Sequence, residues 1–433
     1  MSNSSRSAIQ QGHSVLIRLP NGDVKQIKVD KNITAAIPKF GSFYCNDLIG
    51  QPYGLTYEIV GKNLKLLPPK GLQEVEDTDA TNELINDCQI VQPLTVDEIR
   101  ALKQSGVHSS DIIQKQIDNH ANFALKTEYS KEKYKKRKEA KYSKIFTTIE
   151  PTLLNVCEYW FVKDQVRIRD IRSDTLSQML NLANIHPGGK YLLVDDASGL
   201  VAAGILDRLG GEGRLLAICD TESPPAFHVL QQMNFEPHIT KTLASLNWAT
   251  ALETHNPIVP PSELAAGEVR SERQKSRLKK RKAINDVLEN TRQELFAGEF
   301  DGLVIASEYE PFSIIERLFP YVAGSAPIVV HSPYVQILSD LQTRLRSLPQ
   351  YLCPSVTEGW LRKYQILPGR THPMMAMSGS GGFILHTLKI HENPEREVPP
   401  VSSEYQPDAP PQELLDESVG TSENAMVVDE TVS

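Results

Sequence analysis

Residues 190–220 read KYLLVDDASGLVAAGILDRLGGEGRLLAICD. An apolar run, Tyr191 to Val194, leads into a tight turn. A helical pattern then spans Leu200 to Leu209, and Gly210-Gly211 stops it. A second apolar run, Arg214 to Cys219, ends at Asp220. Strand, helix and second strand make the βαβ unit of nucleotide-binding and methyl-transfer folds. The turn departs from that chemistry. A loop that cradles a cofactor needs several glycines, so that backbone can approach the ligand. Here only Gly199 stands, behind Asp195, Asp196 and Ala197. Two carboxylates at the mouth repel an anionic ligand group. The pattern predicts an enzyme scaffold with a degenerate cofactor site. Asp220 sits where an acid would hold ribose hydroxyls, and it is left as a structural residue.

Working outward, the alternation continues over roughly 147–390 and predicts a Rossmann-like α/β domain. Helical pattern fills 171–184, and a further helix is expected at 224–233. After FDGLVIAS, PFSIIERLF, APIVVHS and YVQILSDLQTRLRS, the domain closes on a pair of strands around SGSGGFILHTLKI. Gly379, Gly381 and Gly382 precede a strand rather than a helix, so they mark a hairpin or bulge and not a phosphate loop. Residues 250–297 break the alternation, first Pro-rich and then highly charged, and read as a charged insertion.

On the N-terminal side, residues 13–92 predict a small β-barrel domain. VLIRL and VKQIKV alternate around Asn21-Gly22, a strong hairpin signal, and YGLTYEIV and LKLLP repeat the pattern. Residues 93–146 predict a helical linker. Thr95 and Glu98 form a capping box, with Leu94 and Ile99 as its hydrophobic staple. A second helix starts near Ser109 and carries Ile112, Ile113, Ile117 and Ala121 on one face. Residues 391–433 are rich in Pro, Ser and acids, and predict a disordered acidic tail.

The chain has 433 residues, enough for two or three domains, and a formal net charge of −8. Most of that charge is local. From Glu392 onward there are eleven acidic residues and one basic, so the rest of the chain is slightly positive. No apolar run is long enough to span a membrane, and the first residues lack the apolar stretch of a secretory signal. The five cysteines are scattered singly, as free thiols of a reducing compartment. The eleven histidines form no set with metal-ligand spacing, and neither GxSxG nor HExxH occurs.

Two basic runs stand out. Residues 126–144 hold nine Lys/Arg against three Glu, with Tyr134 and Tyr142 interleaved. Wound as a helix, Lys131, Lys135 and Lys138 share a face that Lys141 or Tyr142 extends. Cations along a rod can follow phosphates, and tyrosines can stack on unpaired bases. The candidate RNA-binding residues are therefore Lys131, Lys133, Lys135, Lys136, Arg137, Lys138 and Lys141. A solvated helix or an interdomain strut would carry the same charges. The second run, Arg270 to Lys282, ends in KKRK and fits a nuclear-import signal or an RNA patch, or a soluble loop.

Four pieces, in order, carry a family resemblance: LPNGDVKQIKVDKN with FGSFYCNDLIGQPYGLTYEI, YSKEKYKKRKEAKYSKIF, the 190–220 stretch, and MSGSGGFIL. Over most of residues 13–390 the chain resembles the non-catalytic subunit of the tRNA (adenine-58-N1) methyltransferase, in its fungal form. The resemblance implies a heterotetramer of two catalytic and two non-catalytic subunits, acting on tRNA in the nucleus. It also implies that S-adenosylmethionine sits on the catalytic partner and that this chain binds no cofactor. The family's catalytic paralogue has glycines that would fall at 195, 197 and 199, where this chain has Asp195, Ala197 and Gly199. Its Asp-Pro-type motif is replaced by Ala306-Ser307-Glu308-Tyr309-Glu310-Pro311. Neither catalytic nor metal-binding residues are expected. The alternatives left open are a translation-initiation scaffold and an active methyltransferase with an atypical cofactor loop.

Overall fold

The computed structural model describes residues 8–68, 95–105, 107, 109–120, 123, 126–221, 225–255, 272–367, 370–377 and 379–391. The acidic tail, Leu94 and Ala121 lie outside the described residues. The chain opens with β1 (Ser14–Arg18), β2 (Val24–Lys28), β3 (Thr34–Ile37), β4 (Gly41–Tyr44), β5 (Thr56–Val60) and β6 (Asn63–Leu67). Asn21-Gly22 turns β1 into β2, with Gly22 at φ +92°, and Gly61-Lys62 turns β5 into β6. Helices α1 (Val96–Gln104), α2 (Ser109–Asp118) and α3 (Glu128–Tyr142) follow, then β7 (Ile145–Ile149). The capping box is present: the Thr95 N–H donates to the Glu98 carboxylate at 2.8 Å, and the Glu98 N–H donates to the Thr95 hydroxyl at 3.3 Å.

Two expectations are corrected here. The β domain does not end before the helices, because β7 inserts between β1 and β5 in the order β2-β1-β7-β5-β6. A boundary at 146 therefore cuts a strand. IFTTI is a short run beside a long charged helix, and only its pairing reveals it. Nor do the described strands close into a barrel. β2 and β6 remain edges, and the β3–β4 hairpin covers one face instead. That hairpin buries Ile37 and Phe43 among Val15, Ile17, Ile59 and Phe146.

The α/β part continues with α4 (Leu153–Lys163), α5 (Ser173–Leu182), β8 (Lys190–Asp195), α6 (Leu200–Leu209) and β9 (Arg214–Cys219). Next come α7 (Pro237–Thr240), β10 (Leu243–Asn247), α8 (Glu272–Ala297), β11 (Gly302–Ala306) and α9 (Pro311–Leu318). The chain closes with β12 (Pro327–Ser332), α10 (Val335–Arg346), β13 (Tyr351–Glu358), the hairpin β14 (Tyr364–Leu367) and β15 (Arg370–Pro373), and β16 (Phe383–Lys389). The sheet order is β10-β9-β8-β11-β12-β16-β13, parallel through β12, with β16 antiparallel to both β12 and β13. Helices α4, α5 and α6 cover one face, and α8, α9 and α10 the other. The small residues Ala202, Ala203 and Gly204 let α6 approach closely; a Cβ on Gly204 would lie 2.9 Å from Leu180.

The described residues 225–233, where a helix over 224–233 was expected, form no α-helix. A 3₁₀ turn at Leu230–Met233 takes its place. The charged stretch is likewise no insertion over its whole length. From Glu272 it forms α8, the crossover helix between β10 and β11. Among the described residues no helix is long and apolar enough to cross a membrane.

Candidate functional site

Strand order reverses between β8 and β11, and folds of this topology hold ligands outside the carboxyl ends of the strands at that point. Here the chain's own side chains fill the rim. Asp195 ends β8 and folds back under the turn. Its carboxylate accepts from the Ala197 N–H at 2.7 Å and from the Ala202 N–H at 2.9 Å. Ala202 lies in the first turn of α6, whose free N–H groups would otherwise anchor an anion. Burial pushes the Asp195 carboxyl up to about 6, against the pull of those two hydrogen bonds.

Asp196 ties the turn to the loop after β11, accepting from the Ser307 hydroxyl at 2.6 Å and the Glu308 N–H at 3.1 Å. The Tyr309 hydroxyl donates to the Asp220 carboxylate at 3.2 Å. That bond raises the Tyr309 phenol above its ordinary range. Arg169 reaches Glu308 at 3.7 Å across the same rim. Phe227, only 8 % exposed, closes the turn itself. Gly199 is left-handed at φ +84°, and a Cβ there would lie 2.6 Å from Phe227. The one remaining glycine of the turn therefore opens onto a ring of this chain. These side chains stand where folds of this topology hold a ligand. The Ala202 N–H is occupied, and the space beside Gly199 is filled by Phe227.

Ser307 to Pro311 has a structural part. Glu310 caps α9, accepting from the N–H groups of Phe312 at 3.1 Å and Ser313 at 2.7 Å, and Pro311 takes the first helical position. Gly381 and Gly382 directly precede β16 and sit in tight packing rather than in the hairpin or bulge expected of them. A Cβ on Gly381 would lie 2.6 Å from the Thr175 hydroxyl, and one on Gly382 would overlap the His331 ring. His331 is buried, and burial pulls its imidazole down to about 4, so it is neutral near pH 7. Among the described residues no group of three His, Cys, Asp or Glu could hold a metal ion. Phe227 was missed by sequence reasoning, and Tyr309 was named only as part of the stretch that replaces the Asp-Pro-type motif, with no role of its own. Both come from loops, and no periodicity marks them.

The first basic run is α3, capped by Thr127, whose hydroxyl accepts from the Ser130 N–H at 3.3 Å. It leans on α2 through an aromatic cluster. The Tyr134 ring meets His120 edge-on at 5.0 Å and Phe123 at 5.7 Å. Lys126 and Lys138 lie 5.3 and 5.0 Å from the centre of that ring. Burial lowers the Lys138 ammonium pKa. The face predicted to lead, Lys131, Lys135 and Lys138, is thus half-buried, while Lys133, Lys136, Arg137 and Lys141 are exposed on the other side. Tyr142 is buried and Tyr134 is engaged in the cluster, so neither ring is offered freely to a base.

Fold and rim together define a methyltransferase-type α/β protein whose cofactor mouth is filled by its own side chains. The chain belongs to the Gcd10p family, whose sequence profile matches residues 8–292. A relative from Debaryomyces hansenii is 30 % identical, with 89 % of this chain and 87 % of the relative covered. One from Schizosaccharomyces pombe is 29 % identical, with 89 % and 92 % covered. A mouse relative is 28 % identical, with 83 % and 84 % covered. All three are named tRNA (adenine(58)-N(1))-methyltransferase non-catalytic subunit TRM6. Among solved structures, a SAM-dependent O-methyltransferase from Thermotoga maritima matches with a TM-score of 0.52 at 11 % identity, covering 91 % of this chain and 98 % of that one. A likeness at that identity speaks for the fold alone.

Proposed function

We infer that this chain is the non-catalytic subunit of a tRNA (adenine(58)-N(1))-methyltransferase and works beside a paralogous catalytic subunit. The filled rim on a methyltransferase scaffold carries the inference: the fold is kept and the place for a ligand is taken. The catalytic partner holds S-adenosylmethionine and the target adenine. This chain grips tRNA through α3, which helps to open a folded RNA, a step that costs a few kcal/mol for each base drawn out of its stack.

The complex contains two copies of each subunit, and the β14–β15 side of the α/β domain faces the paralogue. Large apolar groups stand open there. Trp360 is 78 % exposed, Ile366 81 % and Val162 88 %. Leu361, Met374 and Met377 line an adjoining cleft of about 840 Å³. Apolar exposure on this scale marks an interaction surface. Replacing Trp360 and Ile366 by Asp should abolish co-purification with the catalytic subunit. Burying two such side chains contributes about 3–6 kcal/mol, roughly two to four decades in Kd. An intact complex carrying both substitutions would move the interface elsewhere. Co-purification with initiation factors and no methyltransferase subunit would favour a translation scaffold instead.

We place the complex in the nucleus, on the strength of KKRK at 279–282. Changing all four residues to Ala should reduce nuclear accumulation of a fluorescent fusion without abolishing methylation by the purified complex at saturating tRNA. An unchanged distribution in cells removes this support.

A further inference from the structure

We propose that the amino-terminal half of α8 is a second RNA-gripping arm, shaped to meet two rows of phosphates on a base-paired stem. The proposal rests on the subunit reading above and extends it to a segment outside α3. The carboxyl-terminal half of α8 is clamped to the sheet. Thr291, Arg292 and Leu295 are buried. The Arg292 guanidinium donates to the carbonyls of Thr250, Leu252 and His255, and Arg214 pairs with Glu294 at 2.9 Å. One turn further out, Ile284 and Val287 line a cleft with Cys219 and Thr221, at the carboxyl end of β9. The residues before Ile284 therefore run on past the sheet, on the side of the rim. Ten residues of helix, 273–282, extend about 15 Å.

Their side chains are arranged in two stripes. At about 100° per residue, Arg273, Arg277, Lys280 and Arg281 continue the stripe that carries Leu288, Thr291 and Leu295 against the sheet, with the exposed Ile284 between. Lys275, Lys279 and Lys282 fall on the opposite side. All seven are exposed, and no acid interrupts them between Arg273 and Lys282. Like charges at i,i+4, as in 273/277, 277/281 and 275/279, each weaken a helix by a few tenths of a kcal/mol. A face meant only for solubility would intersperse acids. Among the described residues no ion pair relieves this repulsion before a polyanion arrives. A-form RNA presents a deep, narrow groove walled by phosphates, whose bases side chains cannot reach. A rod with cations on both flanks, laid across that groove, meets phosphates on both walls. Single-stranded RNA offers one row and can engage one flank.

The test uses the full chain assembled with its catalytic partner. One variant carries Arg273→Gln, Arg277→Gln, Lys280→Gln and Arg281→Gln; the other carries Lys275→Gln, Lys279→Gln and Lys282→Gln. Glutamine keeps the helix propensity, and the clamp is untouched. Binding of a tRNA transcript and of oligouridine is measured across a salt series. Each variant should flatten the log–log salt slope for tRNA by about 2–3 units and weaken binding on the order of 10–100-fold, while oligouridine responds to one variant at most. If one stripe is inert toward tRNA, or oligouridine loses as much as tRNA with both variants, the two-walled arm is overturned. Unchanged tRNA binding with lost nuclear accumulation overturns it too, leaving an import signal alone. Failure to assemble in the unsubstituted chain strikes the subunit reading rather than the arm.

Discussion

On the assembled complex, S-adenosylmethionine should saturate at one molecule per pair of unlike chains, all of it on the catalytic partner. To enter the rim of this chain, the cofactor would have to expel Phe227 from beneath the turn and compete with Asp195 for α6. Exposing a buried phenylalanine loses about 1.5–3 kcal/mol. With its pKa near 6, Asp195 is ionised at pH 7.5. A cofactor carboxylate brought within about 4 Å of it would be opposed by roughly 4 kcal/mol at an effective dielectric near 20. The two costs together correspond to about four to five decades in Kd. Calorimetry on the complex gives the stoichiometry, and photo-crosslinking of labelled cofactor shows which chain is marked. Two cofactors per pair, or label on this chain, would falsify the assignment.

The second large effect is expected on the open face of α3. Replacing Lys133, Lys136, Arg137 and Lys141 together by Gln should weaken binding of the complex to every tRNA alike, on the order of a hundredfold. The log–log salt slope should fall by about 2–4 units, from roughly 0.7–0.9 per phosphate contact. The cause is the chemistry of the run: lysine acts as a point charge that meets phosphates and reads no base edge. Lys138 is left out of this set because it packs against Tyr134, so its loss would mix affinity with stability. Tyr134→Ala is the matching control. It should lower the melting temperature and leave the slope of the folded complex in place. An unchanged slope in the fourfold variant would make α3 a strut between β6 and β7. Loss confined to one tRNA would mean that the helix reads shape or sequence.

What could be read from the chain was whatever its neighbours along the chain decide. The βαβ unit at 190–220 carries its own apolar periodicity, stop signal and turn, and the structure has β8, α6 and β9 where those signals put them. Asn21-Gly22 and the Thr95–Glu98 box are equally local, a matter of backbone conformation and of reach over a few residues. The degenerate turn was legible for the same reason, since glycine content is a property of the turn itself.

Tertiary structure decided the rest, because long-range partners leave no local period. Ile145–Ile149 is a central strand only because β1 and β5 present free edges to it. The run of α8 looked like an insertion because its amino-terminal half is uniformly charged. Only its clamp on the segment after β10 and on Arg214 of β9 shows it to be the crossover helix. Sequence supplied the charges of α3 but not their sides. Tyr134 settles on His120 and Phe123, which turns Lys131, Lys135 and Lys138 inward and leaves Lys133, Lys136, Arg137 and Lys141 outside. Asp195 and Asp196 suggested repulsion at the mouth. Phe227 beneath Gly199 and Tyr309 on Asp220, brought from 28 and 89 residues away, are what fill it. A pattern along the chain can show that a ligand loop has lost its glycines. Which side chains then occupy the space depends on how distant loops pack, and that is fixed only when the sheet has formed.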